Sequence, residues 1–448
     1  MNTLARLTKE VCDLQSPSHH HGVTGPSSGL SAPSSAAPSA CADARPSEAE
    51  GVSVPSTLHV ALLTGGGDKP YALGLATALS SHNISLEFIG SDDLGVPKLL
   101  TNSRIKFLNL RRDQRPEASL PAKVLRILSY YAKLILYAAT AEPKLFHILW
   151  NNKFELFDRT LLMLYYKLLG KRLVFTAHNV NAGKRDSSDS WLNRISLKIQ
   201  YHLSDHIFVH TNGMKNELVR EFRVAKDKVT VIPFGINNTV PNSRLSTTEA
   251  KRQLGVNDGD KTMLFFGNIA PYKGLEHLVA AFCQLLETDR VYRLLIVGKP
   301  KGAINYWNEI RRTIFRTGIG DRVIEKIEYV PDETIELYFK AADVLILPYT
   351  HVFQSGVLFL GYSFGLPAIV ADVANLKQEI IEGQTGFVFR PQDSLDLASK
   401  ADEYFKSDLF SNLENTRSQI KQYANDRYSW SKVAEITTAV YSNFLCSR

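Results

Sequence analysis

The chain is predicted to be an α/β protein made of two doubly wound parallel sheets. Short apolar runs alternate with helical stretches from Leu58 onward, as they do where helices connect the strands of a parallel sheet. Glycine turns follow directly on two of those runs, at Gly65–Gly67 and at Gly267, where a strand gives way to a helix. The length, 448 residues, exceeds what one hydrophobic core accommodates, so two or three domains are expected.

Residues 1–55 are set apart by composition. The run GPSSGLSAPSSAAPSA offers too little apolar surface to offset its ordering entropy, and a disordered leader is expected. His19, His20 and His21 are contiguous; weak metal binding is one reading and a chance run the better one. Met1–Ala40 has no apolar segment of signal-peptide type, and the cysteines are scattered at Cys12, Cys41, Cys283 and Cys446. Both features fit a reducing, cytoplasmic setting with neither a disulfide framework nor a cysteine metal site.

A first domain is expected over residues 56–238. Its strands are placed at His59–Leu63, Ile84–Ile89, Ile105–Leu108, Leu145–Trp150, Leu173–Thr176, His206–His210 and Val229–Ile232, with a helix over Pro70–Ser81. Asn237–Ser246 reads as a linker. A second domain, 239–428, adds strands at Thr262–Phe266, Arg293–Val297, Val323–Tyr329, Val344–Leu347 and Ala368–Val370. The remaining 429–448 reads as a terminal helix.

Charge is uneven. Thr101–Arg220 carries 20 Lys and Arg against 9 Asp and Glu, a balance of +11 in a chain of +7 overall. An anionic partner follows: a diphosphate, acidic lipid headgroups or nucleic acid. No nucleic-acid-binding pattern accompanies the charge, which makes nucleic acid the weakest of the three. The helix over Leu120–Ala141 has Lys123, Arg126 and Lys133 and no acidic residue, with Val124, Leu128, Tyr131 and Ile135 at helical spacing. Such a helix can lie on an anionic membrane surface, though the stripe is more often a core-facing one. Arg159–Arg172 behaves similarly.

Two stretches carry the chemistry. Lys261–Leu278, KTMLFFGNIAPYKGLEHL, is a buried strand, a turn, and a helix opening at Gly274. Backbone N–H groups at such a helix start favour an anion, and Lys273 at its mouth can reach a phosphate as a point charge. Asp343–Ala371 repeats the pattern: strand, polar loop, a helix over Gly356–Phe364, strand. In the first domain, LVFTAHNV brings His178 to the carboxyl end of a strand, where open α/β sheets bind ligands. Lys184 and Arg185 lie in the polar loop beyond. A backbone-tied core histidine is the competing reading for His178.

Gly267, Lys273 and Gly274, with Gly365, Leu366 and Pro367, give the chain its resemblance to the family 4 glycosyltransferases of the GT-B fold. The resemblance covers most of the chain from about Leu58 and is most specific in the second half. It implies two Rossmann-like domains facing across a cleft, with a terminal helix crossing back onto the first. It implies transfer of a sugar from a nucleotide-diphospho-sugar, UDP- or GDP-linked, as substrate, with no bound metal or cofactor and retention at the anomeric carbon. Lys273 would serve as catalytic cation and His178 would reach the donor sugar. Gly267, Asn268, Gln354, Ser355, Gly356 and Val357 would help bind the donor, and Gly66, Gly67, Lys184 and Arg185 would lie on the acceptor side. A lipid-diphosphate acceptor, as in polysaccharide or glycolipid assembly, fits the basic first domain.

The chain departs from the family where Asn268 stands in place of the usual arginine. Val352 and Leu360 occupy the two usual glutamate positions. A branch that reads its donor differently is the favoured explanation. A sugar-nucleotide epimerase and a non-catalytic sugar-nucleotide-binding protein are the alternatives.

Overall fold

The computed structural model describes residues 58–114, 119–185, 189–236, 240–352, 355–373 and 376–444. The leader, the core of the 237–246 linker and Gln354 therefore lie outside the described residues.

Among the described residues thirteen strands form two all-parallel sheets. In the first, β1 (His59–Leu63), β2 (Ser85–Gly90), β3 (Ile105–Asn109), β4 (Leu145–Ile148), β5 (Arg172–Ala177), β6 (His206–Val209) and β7 (Val229–Val231) are ordered β3-β2-β1-β4-β5-β6-β7. In the second, β8 (Lys261–Phe266), β9 (Tyr292–Val297), β10 (Val323–Lys326), β11 (Val344–Leu347), β12 (Ala368–Ala371) and β13 (Gly386–Phe389) are ordered β10-β9-β8-β11-β12-β13. Strand order reverses between β1 and β4, and again between β8 and β11. Crevices open there at the carboxyl ends, which is where doubly wound sheets hold ligands. The strands are buried on both faces, so they read as apolar runs.

The helices used below are α1 (Lys69–Ser81), α2 (Leu120–Thr140), α3 (Met163–Leu168), α4 (Trp191–Leu203), α5 (Asn212–Glu221), α6 (Thr247–Gln253), α7 (Leu275–Thr288), α8 (Ile304–Thr317), α9 (Asp332–Ala341), α10 (Gly356–Ser363), α11 (Ser394–Lys406), α12 (Leu413–Tyr428) and α13 (Trp430–Asn443). Some elements differ from those expected. The helix expected to open at Gly274 begins at Leu275, because Gly274 has φ 63° and cannot continue a right-handed helix. The strand expected over Val323–Tyr329 stops at Lys326, since β10 is an edge strand with a single neighbour. The strand β13 was not anticipated; its four residues lie between Gly386 and Pro391, too short to register as a pattern.

The second sheet is pinned internally by a buried ion pair. Lys251 Nζ of α6 donates to Asp343 Oδ2 at 2.9 Å, and that oxygen also accepts the Thr262 amide of β8 at 2.8 Å. The Gly365-Leu366-Pro367 motif has a packing cause as well. Gly365 has φ 68°, and a Cβ there would lie 2.2 Å from the Arg417 carbonyl of α12.

The terminal helix α13 packs on the first domain. Val433, Ala434, Val440 and Tyr441 of α13 join the core under the first sheet. There the Tyr441 hydroxyl meets His147 Nδ1 at 2.5 Å, while His147 Nε2 meets Thr176 Oγ1 at 2.7 Å. Burial, followed by the nearby His206, pushes His147 down to about 3. Burial likewise pushes His206 down to about 4. Both stay neutral in the fold but protonate near 6.5 in the unfolded chain. Stability from this source is complete above about 6.5 and declines as pH falls toward 4, by up to about 1.4 kcal/mol per pH unit for each histidine. Urea unfolding near neutrality and near pH 5 should show that decline, and His206→Asn should make it shallower, leaving the share of His147.

Candidate functional site

A cavity of about 260 Å³ is lined from both sheets. The first contributes Asp68, Pro70 and Tyr71 at the start of α1, with Phe234 and Gly235 beyond β7. The second contributes Tyr272 and Lys273 after β8, Val352 after β11, and Ser355, Gly356, Val357 and Leu360 of the α10 start; Trp430 of α13 closes the set.

Lys273 is where the second sheet's crevice concentrates its charge. The sequence places it at the mouth of the helix start, where an exposed side chain is the simple expectation; the structure instead buries it, 8% exposed. Its Nζ donates to the Tyr349 hydroxyl and stands 3.9 Å from the centroid of the same ring. Tyr349 follows β11, so this contact spans the point where strand order reverses. The same hydroxyl, whose oxygen accepts from Lys273, shares a second hydrogen bond with Ser355 Oγ at 3.2 Å. Burial raises the Tyr349 hydroxyl well above its ordinary value, so it remains a neutral donor. Ser355 precedes α10 with no side-chain capping bond, which leaves the first amides of α10 directed at the cavity as anion donors. Gly267 backs this start: a Cβ at Gly267 would contact Val357 Cγ2 at 3.4 Å. Asn268 is exposed and does not line the cavity.

Val352 and Leu360, in the places where the resemblance leads one to expect glutamates, do line the cavity, and both are buried. Asp68 is the one carboxylate among the lining residues.

His178 is one ring removed from this space. Its ring stacks on Trp150 at 4.1 Å and meets Tyr71, a lining residue, edge-on at 4.6 Å. The bonding pattern assigns its tautomer. His210 Nδ1 donates to the Ile232 carbonyl at 3.4 Å, leaving His210 Nε2 as an acceptor. His178 Nδ1, 3.0 Å away, must then carry the proton it donates. His178 Nε2 is left as a bare lone pair, buried and without a hydrogen-bond partner among the described residues. Burial, and then the neighbouring His210, holds His178 well below its usual range, so that lone pair is free at neutral pH.

The expected acceptor-side residues are not brought to the cavity. Gly66 and Gly67 are exposed beyond β1, and the Arg111 and Trp150 side chains occupy the space a Cβ would need. Lys184 forms an ion pair with Glu221 at 3.1 Å, and neither it nor Arg185 is a lining residue. Sequence reasoning missed Tyr349, Tyr71, Phe234 and Trp430. Tyr349 alone had a local signal, a Pro-Tyr pair directly after an apolar strand.

A larger cavity, about 680 Å³, lies along α1 between Leu73, Ala78, Val96, Leu99 and Trp430, with Asp332 and Glu333 of α9 at its rim. Those carboxylates would repel a diphosphate. Asp258-Gly259-Asp260 has the spacing of a metal motif, but Asp260 is held by Arg293 and Arg322 at 3.1 and 3.3 Å. Among the described residues no group of three or more His, Cys, Asp or Glu is placed to hold a metal ion.

Two family models match the chain: "Glycosyl transferases group 1" over residues 246–427 and "Glycosyltransferase Family 4" over residues 65–239. D-inositol 3-phosphate glycosyltransferase of Corynebacterium diphtheriae is 29% identical over 287 residues, 60% of this chain and 65% of that protein. The Nocardia farcinica protein of the same name is 29% identical over 238 residues, 50% of this chain and 52% of that one. The chain thus spans less than two thirds of these relatives' length. Among solved structures, Anabaena HepE in complex with UDP and glucose superposes with a TM-score of 0.65 at 17% identity, covering 86% of this chain and 100% of that one. Sucrose-phosphate synthase of Thermosynechococcus elongatus superposes at 0.69 with 18% identity, covering 87% and 100%. At these identities the likeness is one of fold: GT-B.

Tyr349→Phe should keep the ring beneath Lys273 and remove the hydroxyl it shares with Ser355. The expected loss is about 1–3 kcal/mol in urea unfolding, from the buried hydrogen bonds that go with the hydroxyl.

Proposed function

The chain belongs to the family 4 glycosyltransferases, and on that premise we propose that it transfers a hexose from a UDP- or GDP-linked donor, with retention, to a lipid-linked acceptor. The observation that carries the reading is the buried Lys273, aimed with the α10 start into a cavity shared by both sheets. That arrangement suits a leaving diphosphate. In the reaction the bond from the anomeric carbon to the phosphate oxygen breaks, and its electron pair leaves with the phosphate. The acceptor hydroxyl attacks from the same face and its proton passes to the departing oxygen, so no protein nucleophile is required. The charge growing on the phosphate is met by Lys273 and the α10 amides, which are already in place and need little reorganisation.

His178 serves as a positioning group. Its bare Nε2 can accept a hydrogen bond from a donor hydroxyl once Tyr71 shifts, holding the ring for attack. The basic first domain supports an anionic acceptor, as does the inositol phosphate in the name of the curated relatives; a lipid diphosphate is the anionic acceptor we favour. A second reading, donor binding without turnover, rests on Val352 and Leu360 in the cavity. Thermal shift against UDP, GDP and ADP, followed by turnover of the corresponding sugars, separates the two. Binding raises the melting temperature by mass action in both readings, and only an enzyme consumes the donor.

Lys273→Ala should lower kcat by roughly a hundredfold or more. Because the residue is buried, a fall in melting temperature should accompany that loss, and Lys273→Arg should recover stability better than activity. Full activity of the alanine variant would overturn the assignment.

His178→Ala should reduce turnover while UDP or GDP binds as before, since the diphosphate contacts lie on the other sheet. A destabilised variant whose folded fraction turns over normally would make His178 a core residue only.

A further inference from the structure

The first domain carries an apolar exterior on one side of its sheet. On α2, Leu125, Leu128 and Leu136 are 70%, 56% and 67% exposed, although Tyr131 and Leu134 of the same helix are buried. The helix is therefore apolar on both its inner and outer faces, unlike an ordinary surface helix. The Glu155–Leu168 stretch, which ends in α3, repeats this with Leu161, Leu164 and Leu168, the last 78% exposed. On α4 the outward positions are Trp191, Ile195 and Ile199, with Trp191 73% exposed. These helices are neighbours. Tyr165 O–H donates to the Ile135 carbonyl of α2 at 3.1 Å, and Arg159 Nη1 donates to Asn193 Oδ1 of α4 at 2.8 Å. The exposed side chains thus belong to one continuous face.

Cations are interleaved with them. Across α2, the Glu155–Leu168 stretch and α4 there are seven Lys and Arg against two acidic residues, and neither α2 nor α4 contributes an acid. Of the two, Asp158 is buried, and Glu155 is paired with Arg159. All three helical stretches start at the carboxyl edge of the sheet, the edge that carries Trp150 and His178. Trp191 opens α4, and Phe154, 48% exposed, lies four residues beyond Trp150.

We propose that this face docks on a membrane surface rich in anionic lipid. Leucines seat among acyl chains, tryptophan sits at the interface, and lysines and arginines meet the headgroups. Arg159, Lys167 and Arg194 are paired with Glu155, Asp205 and Asp189, so the positive charge of the face rests on Lys123, Arg126, Lys133 and Lys198. A second copy of the chain is a poor occupant, because self-pairing would set these like charges against each other. No helix among the described residues is long and apolar enough to cross a membrane, so the contact is peripheral. The proposal deepens the lipid-linked-acceptor reading: docking by this face would present the sheet's carboxyl edge, and the cavity beside it, to a headgroup held in the membrane.

The test is flotation of the full chain with phosphatidylcholine vesicles, with and without phosphatidylglycerol. The chain should float with the anionic vesicles and not the neutral ones, and raised salt should release it. Leu125→Glu with Leu168→Glu and Trp191→Glu should lower partitioning roughly tenfold or more at unchanged melting temperature. Trp191→Glu alone should give a smaller loss and serves if the triple variant folds poorly. Lys123→Gln with Lys133→Gln and Lys198→Gln should weaken binding to anionic vesicles specifically. Equal binding to both vesicles, or to neither, would overturn the proposal. So would a vesicle-free dimer that the glutamate variants convert to monomer, since that assigns the face to a second copy. UDP- or GDP-induced thermal shift of the same variants is independent of docking. Its retention in a variant that no longer floats leaves the donor reading standing, and its absence in a chain that floats normally removes the donor reading alone.

Discussion

Trp430 ties the two sheets to a common reference. Its indole stands against Gly74 of α1 and Gly235 after β7 so closely that a Cβ at either glycine would fall 2.2 or 2.4 Å from a ring atom. Its Nε1 donates to the Ile236 carbonyl at 2.9 Å, and Tyr71 meets it edge-on at 5.1 Å. The residue belongs to α13, which is continuous in sequence with the second domain and buried in the core of the first. One indole therefore anchors the start of α1, the exit from β7 and the wall of the cavity together. Both glycines are needed for close approach, and replacing either would move the wall on which Tyr71 and Phe234 stand. The cavity follows from this packing: a polar space survives between two apolar cores because a large rigid ring holds its edges apart.

Much of the fold was legible because parallel strands buried on both faces leave uninterrupted apolar runs, as in Leu345–Leu347 and Val60–Leu63. Turns were legible where glycine adopts a conformation other residues resist, Gly274 above all. The position of Lys273 could be read from its strand–turn–helix setting, but its burial could not. That depends on Tyr349, 76 residues away in sequence, folding over its ammonium. The same holds for the histidines. His178 was placed at its strand end by local pattern, whereas its tautomer depends on His210 and Ile232 of neighbouring segments. The helix at Leu120 was misjudged for a related reason. Periodicity detects an apolar stripe but does not say which side faces the sheet when both sides are apolar, and Leu128 of the expected inner stripe proves to be exposed.

Val352 and Leu360 change what the cavity can recognise. A carboxylate beside a diphosphate costs Coulomb energy in a partly desolvated space, and that cost is tolerable only where the carboxylate gains hydrogen bonds from the ligand's hydroxyls. With aliphatic side chains at both positions those two repulsions are absent and so are those two acceptors, and Asp68 is the carboxylate that remains. Among the described lining residues the remaining polar groups are a cation, a serine hydroxyl, the α10 amides, Asp68 and the Tyr71 and Tyr272 hydroxyls. They discriminate by charge and shape more than by sugar hydroxyls. Such a site would hold the phosphates of a nucleotide firmly and read its ribose weakly. Selectivity would then fall to the opposite wall, where Tyr71 and Phe234 offer ring faces and His178 keeps one bare nitrogen behind them. The division of labour across the cavity is therefore electrostatic on the second sheet and aromatic on the first, with Trp430 setting the distance between the two.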